Sequence, residues 1–150
     1  MTFPFQQVAV VRSPVRTPRE MPGSGVPALI AVDPRFEAAL EGVERSSHLI
    51  VIGCFHEASA SPNADVGRRH PRTVPCGAFG SRCPDRPSPV ALTVVRLVGR
   101  EGLALRVEHL DLVDGTPVLD LKPYVPGWDG VFAARRRRNG GRVDGHLPIP

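Results

Sequence analysis

The sequence is poor in the residues and runs that would mark a disulfide-rich, zinc-binding or membrane-spanning protein. Its 150 residues include only three cysteines, Cys54, Cys76 and Cys83, which are odd in number and irregular in spacing. This pattern fits neither a disulfide framework nor a zinc ligand set, so we expect reduced thiols and no metal ion. The longest apolar stretches, Leu49–Phe55 and Val90–Val95, fall far below the roughly 20 residues that cross a bilayer. We therefore expect no association with a membrane.

Two further signals are missing. Residues 1–11 lack the charged start, apolar run and small-residue cleavage site of a secretory leader, so we expect a cytoplasmic protein. No predicted strand is followed by a glycine-rich turn and a helix, which argues against a Rossmann-type cofactor site. Hydrophobic residues make up 41% of the chain and charged residues 23%, which excludes wholesale disorder and leaves enough apolar surface for one domain.

Charge is distributed unevenly along the chain, and there is a single lysine, Lys122. The formal net charge is +4. Residues 135–150 carry five arginines, Arg135–Arg138 and Arg142, against one acid, Asp144, so this segment holds the whole surplus. We predict one domain over residues 1–134 and a basic, disordered tail over residues 135–150. Such a tail is suited to phosphates or to an anionic surface.

Short β-branched runs bounded by proline and glycine predict strands. These runs are Val8–Arg12, Ala28–Val32, His48–His56, Pro89–Val98, Leu103–Leu110 and Val118–Leu121. The run His48–His56 is almost continuously apolar, which predicts burial on both faces. Residues Gly99–Gly102 predict a hairpin connection. The segment Pro34–Val43 predicts a short helix capped by Asp33. We expect a mostly β fold, a small β-barrel-like single domain with one short helix and long proline-rich loops; a sandwich is the alternative.

The long loops are the expected place for a site, because irregular segments of this length are usually functional or mobile. They are Ser13–Pro27, Glu57–Pro75 and Gly80–Pro89. In the third loop, Arg82 and Arg86 offer planar forks of donors for a carboxylate or phosphate, although they could equally cap backbone carbonyls. His56 borders the second loop, and we favour it over His48 for the site.

The segment Asp111–Tyr124 concentrates chemistry. It holds three carboxylates with the only lysine and the only tyrosine of the chain. Asp114 begins a turn signature, and Asp120 and Lys122 share one face of the following strand. The alternative is that Asp114 only shapes the turn and that Asp120 and Lys122 form a surface ion pair.

The order of several motifs resembles one family. They are Val8–Pro14, Pro18–Glu20, Leu40–Leu49, Phe55–His56, Phe79–Pro89 and Asp111–Tyr124. Together they resemble the TsaA-like (TrmO) family from about Val8 to Asp129, and the last motif is the most specific. Members of that family use S-adenosylmethionine to methylate the threonylcarbamoyl-modified adenosine beside the anticodon of certain tRNAs. The family's barrel-like domain dimerises and binds the cofactor near the subunit interface, which implies a homodimer here.

The resemblance implies a role for each matching position. Cofactor contacts are implied for Arg19, Glu20, His56, Glu57, Arg82, Leu92, Asp111, Leu112, Val113 and Asp114. Catalytic roles, in shaping the site or handling a proton, are implied for Asp120, Lys122 and Tyr124. The implied function is N6-methylation of the modified tRNA adenosine with S-adenosylmethionine.

Departures from the family pattern keep alternatives open. Glu20 replaces a glutamine, Ile50 replaces a tryptophan, and Arg82–Ala91 loses an asparagine, a glycine and a serine. A second region associated with tRNA in many family members is not present in this sequence, although Arg135–Arg138 could contact tRNA phosphates instead. The alternatives are a methyltransferase that acts on a small molecule and a non-catalytic module that binds the cofactor.

Overall fold

The structure is a computed structural model that describes residues 4–58 and 77–134, together with the backbone of residues 136–137 and 143–144. Six antiparallel strands close into a barrel in the order β1-β2-β5-β4-β3-β6. They are β1 (Ala9–Arg12), β2 (Val26–Val32), β3 (His48–Cys54), β4 (Val90–Glu101), β5 (Ala104–Leu110) and β6 (Pro117–Pro123). The mostly β barrel expected from the sequence is confirmed, and the sandwich alternative is wrong.

The core lies inside the barrel and is built by side-chain alternation along each strand. On β5, Leu105 and Val107 are buried while Arg106 is exposed, as expected when successive side chains point to opposite faces. The buried cluster consists of Ala9, Val11, Ile30, Val32, Leu40, Leu49, Val51, Ala91, Val95, Leu105, Val107, Leu110, Leu112 and Val118. Because these residues are aliphatic, the interior is held by apolar packing, which fixes the strands and loops around it.

Strand β3 corrects one expectation. Leu49, Val51 and Gly53 are buried inside the barrel, but Ile50 and Ile52 on the other face are only half-buried. The apolar run therefore does not reflect burial on both faces. The outward side of β3 is an apolar surface that the described residues leave partly open to solvent.

The predicted helix over Pro34–Val43 is also corrected. The chain forms two 3₁₀ segments, Pro34–Leu40 and Val43–Arg45, and the first contains a non-helical residue, Phe36. Gly42 separates them with a φ of 80°, a left-handed conformation that an α-helix cannot continue through. Asp33 does cap the first segment, since its side chain accepts from the N–H of Arg35. Among the described residues, the one α-helical turn is α1 (Pro126–Asp129).

The β4–β5 connection is shorter than expected. Strand β4 continues to Glu101, so that Gly102 and Leu103 form the turn, and Gly102 has a φ of 59°. Gly99 marks a register shift between β4 and β5. Since glycine tolerates both roles, the Gly99–Gly102 signal reports a bulge and a tight turn in place of one four-residue loop.

The described part of the tail consists of two short strands. β7 (Arg136–Arg137) pairs antiparallel with β8 (Val143–Asp144) in a separate two-stranded sheet. The rest of residues 135–150 lies outside the described residues, as do residues 59–76, which include Cys76 and most of the second long loop. Cys54 and Cys83 are free thiols. Within residues 4–58 and 77–134, no helix is long and apolar enough to cross a membrane.

Candidate functional site

The connection from β5 to β6 forms an acidic turn, Asp111–Asp114, at the end of the barrel where β1 and β3 finish. Leu112 is 2% exposed and Val113 is buried beside it, while Asp111 is exposed. Gly53 on β3 makes room for Leu112, since a Cβ at Gly53 would lie 3.3 Å from Leu112 Cδ1 and 3.1 Å from a backbone oxygen. The two buried side chains therefore anchor the turn and leave the carboxylate of Asp111 at the surface.

The loop after β1 is fastened to this acidic turn. The N–H of Ser13 donates to Asp114 Oδ1 at 3.0 Å, and the N–H of Asp114 donates to the carbonyl of Val15 at 2.8 Å. Asp114 is thus a turn residue that also ties two distant segments together. Arg19 and Glu20 follow in a 3₁₀ turn on the same loop. Both are exposed, and their side chains make no hydrogen bond or ion pair with the described residues.

His56 and Glu57 follow β3 at the same end of the barrel. His56 Nε2 lies 4.0 Å from Glu57 Oε1 and 4.0 Å from the position of a Cβ on Gly115, the residue after Asp114. The structure therefore places His56 beside Gly115, the residue after the acidic turn, with Glu57 next to His56; their contacts with the cofactor stay a prediction. The backbone of Phe55 is held by a bond to the carbonyl of Pro89 at 2.7 Å, which places the start of β4 beside them.

Arg82 and Arg86 both cap backbone carbonyls. Arg82 Nη2 donates to the carbonyl oxygen of Leu92, and Arg86 Nη1 donates to those of Ser81 at 3.2 Å and Cys83 at 3.4 Å. Among the described residues, Arg82 and Arg86 therefore bind backbone carbonyls, which is the alternative stated from the sequence. Arg82 is nevertheless exposed and has further N–H donors, so its guanidinium is also able to bind a ligand. Leu92 is 50% exposed next to it.

Cross-strand register brings a second group of predicted residues onto the outward face of β6, β3 and β4. Leu92 pairs with Ile52, and Ile52 pairs with Asp120. Directly opposed residues of antiparallel strands point to the same face, so Leu92 and Asp120 flank Ile52. In the same way, Lys122 lies beside Ile50. We call this surface the outer face of β6–β3–β4.

Asp120 and Lys122 form an ion pair on this face, with Lys122 Nζ 2.7 Å from Asp120 Oδ2. The hydrogen bond and the negative charge of Asp120 raise the pKa of Lys122 above its usual value. Lys122 therefore remains an ammonium at neutral pH and cannot accept a proton. Asp120 Oδ1 also accepts from the N–H of Leu121 at 2.9 Å.

The structure does not bring every predicted residue to one place. Lys122 lies five residues after Pro117, the first residue of β6, which is roughly 17 Å at the usual rise per residue, so the strand keeps Lys122 away from the acidic turn. A cavity of about 260 Å³ adjoins Asp120 and Lys122, on the side of the Pro34–Leu40 segment. Tyr124 continues the ladder, with its N–H donating to the carbonyl of His48 at 3.0 Å. Its hydroxyl lies 3.5 Å from the Cβ position of Gly130.

Two residues that shape this arrangement were missed in the sequence. Ser13 acts through its backbone N–H, which carries no signal in the side-chain pattern. Ile52 joins Leu92 to Asp120 only because β3 lies between β4 and β6, and that order is non-local. The arrangement combines carboxylates at a barrel end, an exposed guanidinium and an apolar surface, which suits a small ligand that carries both charges and an apolar ring.

The barrel and its acidic turn define a β-barrel domain with a candidate site at one end. Residues 10–130 match the tRNA-methyltransferase O N-terminal domain family, and the chain belongs to this family. A probable S-adenosyl-L-methionine-binding protein of Pyrococcus abyssi is 35% identical over 130 residues, covering 83% of this chain and 70% of that protein. The tRNA (adenine(37)-N6)-methyltransferase of Escherichia coli is 36% identical over 143 residues, covering 83% of this chain and 59% of that enzyme.

Solved structures agree with the family assignment. The crystal structure of TrmO from Pseudomonas aeruginosa superimposes with a TM-score of 0.75 at 34% identity, covering 93% of this chain and 62% of that chain. This chain therefore spans about three fifths of the solved structure and of the Escherichia coli enzyme. The resemblance seen in the sequence motifs is confirmed.

Proposed function

We propose that this protein is an S-adenosylmethionine-dependent methyltransferase that methylates N6 of the threonylcarbamoyl-modified adenosine in tRNA. The observation that carries the proposal is the acidic turn Asp111–Asp114, fastened to the loop after β1 and approached by His56 and Glu57. Family membership supports it. When bound, the cofactor would supply an electrophilic methyl group on a positively charged sulfur.

The residues present are chemically suited to such a cofactor. Its sulfonium is favoured by nearby carboxylates, and Asp111 and Glu57 are exposed at the barrel end. Its amino-acid carboxylate would be bound by the free donors of Arg82. Leu92 offers an exposed apolar surface for the adenine ring. Further contacts are proposed from Arg19, Glu20, His56, Leu112, Val113 and Asp114.

Asp120 is proposed to accept the proton that the attacking nitrogen loses. An attacking nitrogen must lose a proton, and a positioned carboxylate is able to accept it. Lys122 is held as an ammonium by the ion pair, so its proposed role is to keep the Asp120 carboxylate in place. Tyr124 would shape the wall beside the Pro126–Asp129 turn. Positioning of the two reactants supplies most of the remaining rate advantage.

A homodimer is part of the proposal. On the outer face of β6–β3–β4, Leu92 is 50% exposed and Val90 is 41% exposed, with Ile50 and Ile52 half-buried between them and the Asp120–Lys122 pair. A second copy packed on this apolar surface would place the cofactor near the subunit interface. We also propose that Arg135–Arg138 contacts tRNA phosphates and that the protein acts in the cytoplasm.

The test incubates the protein with tritium-labelled S-adenosylmethionine and total tRNA from cells that carry the threonylcarbamoyl modification. Label in tRNA over many turnovers is expected. Heat of binding for the cofactor without label in tRNA would favour a small-molecule acceptor, or a non-catalytic module if no acceptor turns over. The absence of any thermal shift or heat with the cofactor or its demethylated product would reject all three functions.

A further inference from the structure

Most cationic side chains on the barrel strands and on the Pro34–Leu40 segment are paired with an acid. Arg35 pairs with Asp33 at 2.8 Å, Arg96 with Glu108 at 2.5 Å, Arg100 with Glu44 at 3.5 Å, and Arg106 with Glu101 at 3.2 Å. Two exposed arginines near the end of β1 differ. Neither Arg12 nor Arg16 has an acidic partner within 4.0 Å in the part of the chain that the structure describes. Two cationic side chains without an acidic partner among the described residues, Arg12 and Arg16, therefore lie at the end of β1 and just after it.

Arg12 belongs to a row of side chains that crosses three strands. It pairs with Leu29 on β2, and Leu29 pairs with Arg106 on β5. The three side chains share the outward surface of the barrel, and two strand spacings put the Cα atoms of Arg12 and Arg106 about 10 Å apart. An open groove of about 410 Å³ follows this row. We call it the arginine groove; its lining includes Arg12, Leu29, Val98, Arg106 and Glu108.

The charges of the arginine groove leave a net positive site. Glu108 is held by Arg96, and Arg106 is held by Glu101, so these four residues are neutralised in place. Arg12 supplies the unbalanced charge. Between the cations the surface is apolar, with Leu29 39% exposed and Val98 43% exposed. Cationic sides on an apolar floor are complementary to a ribose–phosphate chain, whose anionic phosphates alternate with less polar sugars.

The groove also leads to the proposed cofactor-binding end of the barrel. Arg16 follows Val15, whose carbonyl accepts from the N–H of Asp114 at 2.8 Å, so Arg16 is held next to the acidic turn. Arg12 lies on the other side of Ser13, which bonds to the Asp114 side chain. The two unpaired arginines therefore flank the segment that is tied to the turn. A chain of phosphates bound by both would pass beside it.

We propose that the arginine groove, extended by Arg16, binds the ribose–phosphate backbone of the RNA substrate and guides it to the acidic turn. This rests on the proposed function, in that RNA is the methyl acceptor. The contacts are to phosphates, so the groove positions the RNA without reading its sequence. It assigns the barrel itself a part in RNA binding that is separate from Arg135–Arg138.

The test uses the full chain and the variant Arg12→Gln/Arg16→Gln. Its matched control is Arg35→Gln/Arg45→Gln, which removes two exposed arginines at the opposite end of the barrel. Binding of fluorescein-labelled tRNA is measured by anisotropy over a salt series. We expect the groove variant to lose affinity on the order of ten-fold at low salt and to lower the slope of log K against log[salt] by about 1.5. The control should keep the wild-type slope.

Cofactor binding by calorimetry separates this proposal from the proposed function. Unchanged heat of S-adenosylmethionine binding with weakened tRNA binding supports the groove. Wild-type protein that binds the cofactor but not tRNA overturns the groove and leaves cofactor binding standing, whereas no cofactor heat rejects the proposed function itself. Equal losses in the control variant overturn the groove as a specific site.

Two further measurements test a membrane surface as the partner and the tail as the source of the binding. If phosphatidylserine vesicles bind as tightly as tRNA, with the same dependence on Arg12 and Arg16, the surface is a membrane site and the RNA proposal is wrong. In a variant with Arg135–Arg138 changed to glutamine, the groove substitutions should still lower the salt slope. If the tail accounts for the whole slope, the groove is rejected.

Discussion

The N–H of Ser13 donates to Asp114 Oδ1 at 3.0 Å, and this bond joins residues that are 101 positions apart in the chain. The acidic turn is therefore not a free loop, because the carboxylate of Asp114 is hydrogen-bonded to the segment after β1. The exposed carboxylates that remain for a ligand include those of Asp111 and Glu57. Asp114 is therefore expected to contribute to stability, and Asp111 to contribute to ligand binding.

Asp114→Ala should lower the free energy of unfolding by about 1.5 kcal/mol, the low end of the range for a hydrogen bond to a charged group, because Asp114 is half-buried. Asp114→Asn retains an oxygen acceptor and should lose less. Asp111→Asn should leave stability unchanged while weakening cofactor binding. Urea unfolding and calorimetry measure the two effects. Equal destabilisation by Asp111→Asn would contradict this assignment.

Arg82→Ala should weaken S-adenosylmethionine binding by about 1.5–3 kcal/mol, because it removes a charged hydrogen bond to the cofactor carboxylate. The matched control is Arg45→Ala, an exposed arginine near the opposite end of the barrel. Isothermal calorimetry provides the affinities, and far-ultraviolet circular dichroism checks the fold. An affinity for Arg82→Ala equal to that of the wild type would remove Arg82 from the cofactor site.

Asp120→Asn should lower kcat on the order of 10²-fold, because the substituted amide cannot accept the proton, while cofactor affinity should stay within two-fold or so. Lys122→Gln should lower kcat less, since Asp120 keeps its carboxylate and loses only the ion pair that positions it. Glu37→Gln, which removes an exposed carboxylate elsewhere, is the control. A kcat for Asp120→Asn equal to that of the control would exclude Asp120 as the base.

Gly25→Ala should destabilise the fold by about 1–3 kcal/mol more than Gly102→Ala. Both glycines have a positive φ, so both variants carry the same backbone penalty. A Cβ on Gly25 would lie 2.5 Å from the carbonyl carbon of His109, whereas nothing lies within 4 Å of a Cβ on Gly102. His109 itself has a φ of 65°, so the backbone there has little freedom to retreat. Thermal unfolding of the two variants measures the cost of the contact between the added Cβ and His109. Equal losses of stability in Gly25→Ala and Gly102→Ala would contradict this prediction.

Asp33 predicts a pH-dependent stability. Hydrogen bonds from the side chain and backbone of Arg35 lower the pKa of Asp33 from 3.8 to about 2. Because the folded state has the lower pKa, the contribution of Asp33 is fully present above pH 3.8 and is lost as the pH falls through about 2. The Tm difference between wild type and Asp33→Asn should therefore shrink across this window. Arg35→Gln should show the same pH-dependent Tm difference from the wild type. A Tm difference that stays constant as the pH falls would contradict the prediction.

The sequence predicted the strands well because their signals are local. Alternation between Leu105 or Val107 and Arg106 is visible in the residues of β5 alone, and β1 is predicted to within one residue. The helix prediction failed because the Phe36–Val43 spacing ignored Gly42, whose left-handed backbone interrupts the segment. The β3 prediction failed because apolar composition cannot distinguish a buried face from an exposed apolar one.

The candidate site was only partly predictable, for a physical reason. The motifs name His56 and Asp114, and both lie at one barrel end as expected. What no local pattern contains is the strand order, which sets Ile52 between Leu92 and Asp120 and makes Leu29 bridge Arg12 and Arg106. Those neighbours arise from pairings between residues far apart in the chain. The roles assigned to the site residues stay predictions until the variants are measured.

Closure of the barrel has a consequence for recognition. Each of the strands β1–β6 is hydrogen-bonded to a neighbour on both sides, so none of them is an edge strand along its whole length, although Val90–Val95 of β4 pair with β3 alone. A protein, a second copy or an RNA is then selected mostly by the outward side chains and the loops. Changes in a few outward residues can therefore redirect what this barrel recognises while its main-chain framework stays intact.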